Sequence, residues 1–266
     1  MARHPAGHGT LIAMRGRALI TGATAGIGNA FARELAGRGH DLVLVARDTK
    51  RLESVAAGLR EKYRVEVDVI TADLTTDNGL RATVNALTDT ARPVDLLVNN
   101  AGSSLAAWFG TTDIADEDHQ LDLMVRAPMH LMDAAIKAMT GRGHGEILNV
   151  ASVAAFTPRG SYSAHKAWMV TLSRWANYQY ADAGVTVMAL CPGFVRTEFH
   201  QRMGVDPNQS VPRWMWLNAD KVVKAALDDL DKRKAVSIPS ARYKILATIS
   251  QYAPKPLVAR IAKRGR

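Results

Sequence analysis

The chain has 266 residues, a formal net charge of +9, 47% hydrophobic content and one cysteine, Cys191. That apolar content fills a core and excludes long disorder, and a lone cysteine rules out an internal disulfide or a cysteine-rich metal site. The basic residues are scattered, with enrichment only at the two ends, which argues against a nucleic-acid face, and no run nears the roughly 18 apolar residues that span a bilayer.

From the N-terminus, "MARHPAGHGTLIAM" lacks the long apolar core of a signal peptide and reads as a flexible tail over residues 1 to 14. With the reduced cysteine it points to a cytoplasmic protein. Short apolar runs follow at 17 to 22, 41 to 47, 65 to 73, 95 to 102, 145 to 152, 185 to 193 and 235 to 239. Each reads as a buried strand, with Cys191 an inert thiol in the sixth. Between them, helical spacing recurs: Ile27, Phe31 and Leu35 in the first interval, then Leu52, Val55, Ala56, Leu59 and Tyr63 in the second. Continuous rather than alternating hydrophobicity means strands covered on both faces. The expected fold class is therefore α/β, a doubly wound parallel sheet of about seven strands with helices on both faces, a Rossmann fold. One such domain over 15 to 240 accommodates every element, with a substrate lid at 198 to 217 and a basic extension over 241 to 266.

The first strand runs into "TGATAGIG", which places Gly22, Gly26 and Gly28 where strand becomes helix. Glycine lets the backbone approach a ligand closely, and the N–H groups of the helix start face an anion; the natural guest is a pyrophosphate. The second strand ends at Ala46, where a site reading a ribose diol would carry a carboxylate, and Arg47 comes next. A guanidinium suits a 2′-phosphate, which predicts NADP(H) over NAD(H). Asp48 is the adjacent carboxylate that would compete for the ribose.

In "YSAHK", Tyr162 and Lys166 lie four residues apart on one helix face. Hydride transfer to a carbonyl leaves charge on oxygen, so a proton donor is needed beside it. A phenol titrates near 10, and a neighbouring ammonium favours the phenolate, so Tyr162 is the expected general acid/base with Lys166 tuning it.

These motifs, with "ADL" at 72 to 74, "NNAG" at 99 to 102 and "PG" at 192 to 193, resemble the short-chain dehydrogenase/reductase family from about residue 15 to residue 240. The resemblance implies Ser152, Tyr162 and Lys166 as catalytic residues, with Ser152 holding the substrate oxygen and Lys166 also holding the nicotinamide ribose. It implies that the cofactor lies against Gly22, Thr24, Gly26, Ile27, Gly28, Arg47, Asp73, Leu74, Asn100, Ala101, Gly102, Tyr162, Lys166, Pro192, Gly193, Val195 and Thr197. Asp73 and Leu74 would border adenine. It also implies a homodimer or homotetramer built on helices around 116 to 140 and 162 to 182.

Two departures stand out. Ser152 precedes Tyr162 by ten residues, a shorter spacing than the family's usual one, which alters a substrate wall. The family's helix asparagine, which supports a water in proton relay, aligns with Met124, and a thioether cannot replace an amide. Either backbone groups hold that water in a working NADP(H)-dependent carbonyl reductase, or the chain is a non-catalytic NADP(H)-binding sensor or scaffold.

The lid offers Phe199, Met203, Trp214, Met215, Trp216 and Leu217, side chains that suit an apolar carbonyl or alcohol substrate or that anchor the lid to the core. Beyond 240, apolar residues alternate with Lys255, Arg260, Lys263, Arg264 and Arg266. Such a segment resembles those of family branches that reduce lipid carbonyls. It reads either as an interfacial helix against anionic lipid or as a basic terminus packed on a partner subunit.

Overall fold

A computed structural model describes residues 16–105, 107–198 and 212–253. The N-terminal tail, Phe199, Met203 and the basic residues from Lys255 onward lie outside the described residues. The described elements run β1 (Arg17–Thr21), α1 (Gly26–Gly37), β2 (Asp41–Ala46), α2 (Thr49–Tyr63), β3 (Val67–Thr71), α3 (Asp77–Thr88), β4 (Leu96–Asn99) and α4 (Ile114–Leu121). A π-helical turn (Asp122–Arg126) joins α4 to α5 (Ala127–Arg142), followed by β5 (Gly145–Val150), a 3-10 turn (Val153–Phe156), α6 (Ser161–Gln179) and β6 (Val185–Leu190). A second 3-10 turn (Arg213–Met215) leads to α7 (Ala219–Leu230), β7 (Val236–Ser237) and α8 (Ala241–Tyr252).

All seven strands are parallel, in the order β3-β2-β1-β4-β5-β6-β7. The expected doubly wound sheet is present. Its strands alternate between two cores, which is why they read as unbroken apolar runs. On one side Ala18, Ile20, Leu42 and Leu44 pack with Phe31 and Leu35 of α1, Leu52 and Leu59 of α2 and Val223 of α7. On the other, Leu19, Val43 and Val45 meet Leu80 of α3, Leu131 and Met139 of α5 and Ala176 of α6. Burial of a Leu or Phe contributes about 1.5–3 kcal/mol, so both faces are needed to hold the sheet.

Chain order reverses between β1 and β4, so a crevice opens beyond their carboxyl ends, where doubly wound sheets bind ligands. Cys191, directly after β6, is a free, buried thiol pushed up to about 12 by burial. Among the described residues no helix is long and apolar enough to cross a membrane, and no cluster of His, Cys, Asp or Glu could hold a metal ion.

Candidate active site

The crevice is floored by the turn after β1. Gly22 and Gly26 adopt φ of +68° and +56°, and a Cβ on Gly28 would overlap the Gly22 carbonyl oxygen and the Asn100 amide. Thr21 and Asn100 brace this turn. Asn100 Nδ2 donates to the Thr21 carbonyl at 2.9 Å and to the Gly22 carbonyl at 3.2 Å, while the Asn100 and Ala101 N–H groups both donate to Thr21 Oγ1 at 3.0 Å. Asn100 therefore spends its amide on the turn. Gly26 faces Thr197, whose Cβ would lie 3.1 Å from a Cβ at that position, so the segment after β6 closes on the glycine turn.

Along the adjacent rim, Arg47 follows the end of β2 with two thirds of its side chain exposed, and its guanidinium lies 3.8 Å from Asp73 Oδ2. Burial opposes ionisation of Asp73, but hydrogen bonds from the Thr75 N–H and hydroxyl and the charge of Arg47 hold its carboxyl below the usual range. Asp48 caps α2 by accepting from the Arg51 N–H at 3.0 Å. One oxygen of its exposed carboxylate thus serves the helix start.

The other cofactor candidates divide by burial. Gly22, Thr24, Gly26, Ile27, Gly102, Gly193 and Thr197 keep partial exposure, whereas Leu74 and Val195 bury their side chains in the two cores. Val195 also meets Leu217 through a parallel backbone bridge. Pro192 is buried, and its carbonyl accepts from the Val153 N–H at 3.0 Å.

Ser152, Tyr162 and Lys166 converge across the gap between β5 and α6. The Tyr162 hydroxyl shares a hydrogen bond with Ser152, whose Oγ also accepts from the Ala154 N–H at 3.1 Å. Ser152 is both helix cap and partner of the phenol. Lys166 is 5% exposed, its Nζ lies 5.9 Å from the Tyr162 ring centroid, and it donates to the Val150 carbonyl at 2.6 Å. The expected acidification of the phenol is not what this arrangement produces. Burial pushes Tyr162 up to about 12, with the Ser152 hydrogen bond opposing, and burial brings Lys166 down to about 8. Desolvation disfavours both charged forms, the phenolate and the ammonium.

Met124 is fully buried in the π-helical turn. A Cβ on Gly102 would stand 3.8 Å from Lys166 Nζ and 3.9 Å from Met124 Cγ, so the thioether side chain borders the lysine pocket. A buried amide network invisible in the sequence supports the floor. Asn99 Nδ2 donates to Asn149 Oδ1 at 2.9 Å, and Asn149 Nδ2 donates to Ser173 Oγ at 2.9 Å. Arg51 and Glu198 form a two-pronged ion pair that ties α2 to the segment after β6. On the far lid edge Trp214 is exposed, while Trp216 packs on Phe194 with centroids 5.8 Å apart.

The short chain dehydrogenase profile matches residues 17–208. The chain belongs to this oxidoreductase family. Among solved structures, a short-chain dehydrogenase from Sphingobium yanoikuyae in complex with NADPH is 37% identical, with a TM-score of 0.82 over 89% of this chain and 93% of that one. A bulky-bulky ketone specific alcohol dehydrogenase from Comamonas testosteroni is 33% identical, with a TM-score of 0.77 over 89% and 92%. The inactive hydroxysteroid dehydrogenase-like protein 1 of Homo sapiens is 32% identical over 78% of this chain and 63% of that longer protein.

Proposed function

We propose that this short-chain dehydrogenase is an NADP(H)-dependent carbonyl reductase acting on bulky, largely apolar ketones, reversibly with the secondary alcohols. The observation that carries the reading is the joining of Tyr162 to Ser152, with Lys166 one helical turn away, at the mouth of a crevice floored by glycines that a Cβ would fill. The glycine cradle suits a pyrophosphate, and Arg47, exposed where Asp48 is tied up as a cap, suits a 2′-phosphate. The Sphingobium relative's NADPH complex agrees with that choice.

When bound, the dinucleotide supplies the hydride. Ser152 orients the carbonyl oxygen towards the phenol, and Tyr162 holds the proton that this oxygen takes up. A phenol near 12 stays protonated at neutral pH, as a donor in the reductive direction must be. Lys166, braced by Val150, positions its amine beside that phenol. Leu105, Ala107 and Phe109 line the same small cavity as Tyr162 and give it an apolar border, in keeping with the ketone preference in the Comamonas relative's description.

Association into a homodimer or homotetramer fits the apolar side chains left exposed on the helices, Leu121 on α4, Met129 on α5, and Trp175 and Tyr178 on α6. A contact with anionic lipid through α8 accounts for its exposed Ile245, Leu246, Ile249 and Tyr252. The assembled Ser152, Tyr162 and Lys166 favour an enzyme over a sensor. A panel of aryl and alicyclic ketones with NADPH consumption as readout tests this: turnover of bulky ketones is expected, and tight NADPH binding with no turnover on any ketone would overturn it.

A further inference from the structure

Beside Tyr162 a small cavity of about 10 Å³ has room for one water-sized oxygen. Its walls include Gln120, Arg159, Gly160, Ser161 and Tyr162. Gln120 is 1% exposed, and both its amide nitrogen and its amide oxygen are buried without a hydrogen-bond partner. Leaving a primary amide bare in the interior is costly, so a buried amide edging a cavity marks a place where something polar binds.

The opposite wall is the start of α6. That 19-residue helix begins at Ser161 after Gly160, with no side chain capping it and no acidic residue in its first turn. Its N-terminal dipole and N–H groups favour an atom with lone pairs. Elsewhere on these two helices, Glu117 Oε2 on α4 and His165 Nδ1 and Ser163 Oγ on α6 are also buried without partners, and Glu117 acts electrostatically on His165.

We propose that Gln120 and the uncapped N-terminus of α6 form a second oxygen-binding site beside Tyr162, which takes one hydrogen-bonding oxygen atom, from the substrate or from a bound water. Gln120 Nε2 donates to that atom, the helix start adds its positive end, and Gln120 Oε1 accepts from it when the guest is a water or a hydroxyl. In the substrate case, the enzyme prefers ketones carrying a second oxygen near the reacting carbonyl. The proposal deepens the carbonyl reductase reading and rests on it for its kinetic test.

The test uses the full chain with NADPH and two ketones of one skeleton, benzil with a second carbonyl oxygen and deoxybenzoin without it, in the wild type, Gln120→Leu and Gln120→Asn. A substrate oxygen predicts that Gln120→Leu lowers kcat/KM at least tenfold for benzil and less than threefold for deoxybenzoin, with NADPH affinity unchanged and Gln120→Asn in between. A bound water predicts an equal fall for both ketones together with an ordered oxygen within hydrogen-bond distance of Gln120 in a crystal structure of the wild type. No change for either ketone in Gln120→Leu, or a wild-type crystal with neither water nor substrate oxygen at Gln120, overturns the site. If the wild type reduces neither ketone, nor any other carbonyl, the reductase reading fails by itself, and the site is then decided by the crystal alone.

Discussion

Lys166 donates to the Val150 carbonyl at 2.6 Å from a position only 5% exposed, and this single bond holds an amine that burial lowers to about 8. The folded chain thus binds that proton less readily than the unfolded chain, whose lysine titrates at 10.5. The resulting destabilisation is full below about pH 8 and is relieved as the pH rises towards 10.5. Relative to Lys166→Met, the cofactor-free wild type should gain up to ~3 kcal/mol between pH 8 and pH 10. Urea unfolding of both proteins across that window measures it, and a pH-independent difference would show that the amine is not shifted.

In the proposed reading Arg47, exposed after β2, meets the 2′-phosphate of NADP(H), while Asp48 caps α2 beside it. Arg47→Ala should weaken NADPH binding about 10-fold to 100-fold, the size of a lost charge-assisted hydrogen bond, and leave NADH binding nearly unchanged. Fluorescence titration with both dinucleotides reads the ratio. Equal losses for the two would remove Arg47 from phosphate recognition.

Tyr243 links α8 to the strand-end segment beside the crevice. Its ring fills the space over Gly193, where a Cβ would overlap it; its hydroxyl donates to the Met215 carbonyl at 2.9 Å and accepts from the Phe194 N–H at 3.2 Å. Tyr243→Phe should cost about 1–2 kcal/mol in chemical denaturation, since both partners lose a buried hydrogen bond. Gly193→Ala should cost more, by overpacking against the ring. Unchanged midpoints in both variants would mean that α8 is not seated as described.

The outer face of α8 exposes Ile245, Ile249 and Tyr252 one helical stripe apart, and no acidic residue occurs from 241 to 266. If this face meets anionic lipid, the chain should sediment with phosphatidylserine vesicles and not with phosphatidylcholine vesicles. Ile245→Glu with Ile249→Glu should abolish that binding while leaving the fold intact, because Tyr243 and Ala247 occupy the buried side. Deleting 241 to 266 would be a poorer test, as it removes Tyr243 from its packed position. Vesicle binding indifferent to the double substitution would exclude α8 as the contact.

The sheet was legible from the chain because its strands are covered on both faces, so their apolar runs stand out without any need for register. The glycine turn and the spacing of Tyr162 and Lys166 were legible for a similar reason: one turn and one helix encode them locally. Other features depend on distant partners. Ser152 serves as cap and as partner of Tyr162 at once, two uses that look alike in a sequence. Glu117 and Gln120 lie among the polar residues of α4 and read as solvated surface until the fold buries them against α6. The spacing of Tyr162 and Lys166 reveals the nearby ammonium and says nothing of the burial that pushes the phenol up.

Tyr162→Phe is the most direct test of the proton-donor role. The substitution removes one hydroxyl and keeps the ring, so NADPH affinity should stay within about twofold while ketone reduction falls about 10²-fold to 10⁴-fold, the usual contribution of a general acid. Stopped-flow NADPH oxidation with a ketone that the wild type reduces, alongside a binding titration of the same preparation, gives both numbers. Reduction by the variant at a rate close to that of the wild type would contradict the account.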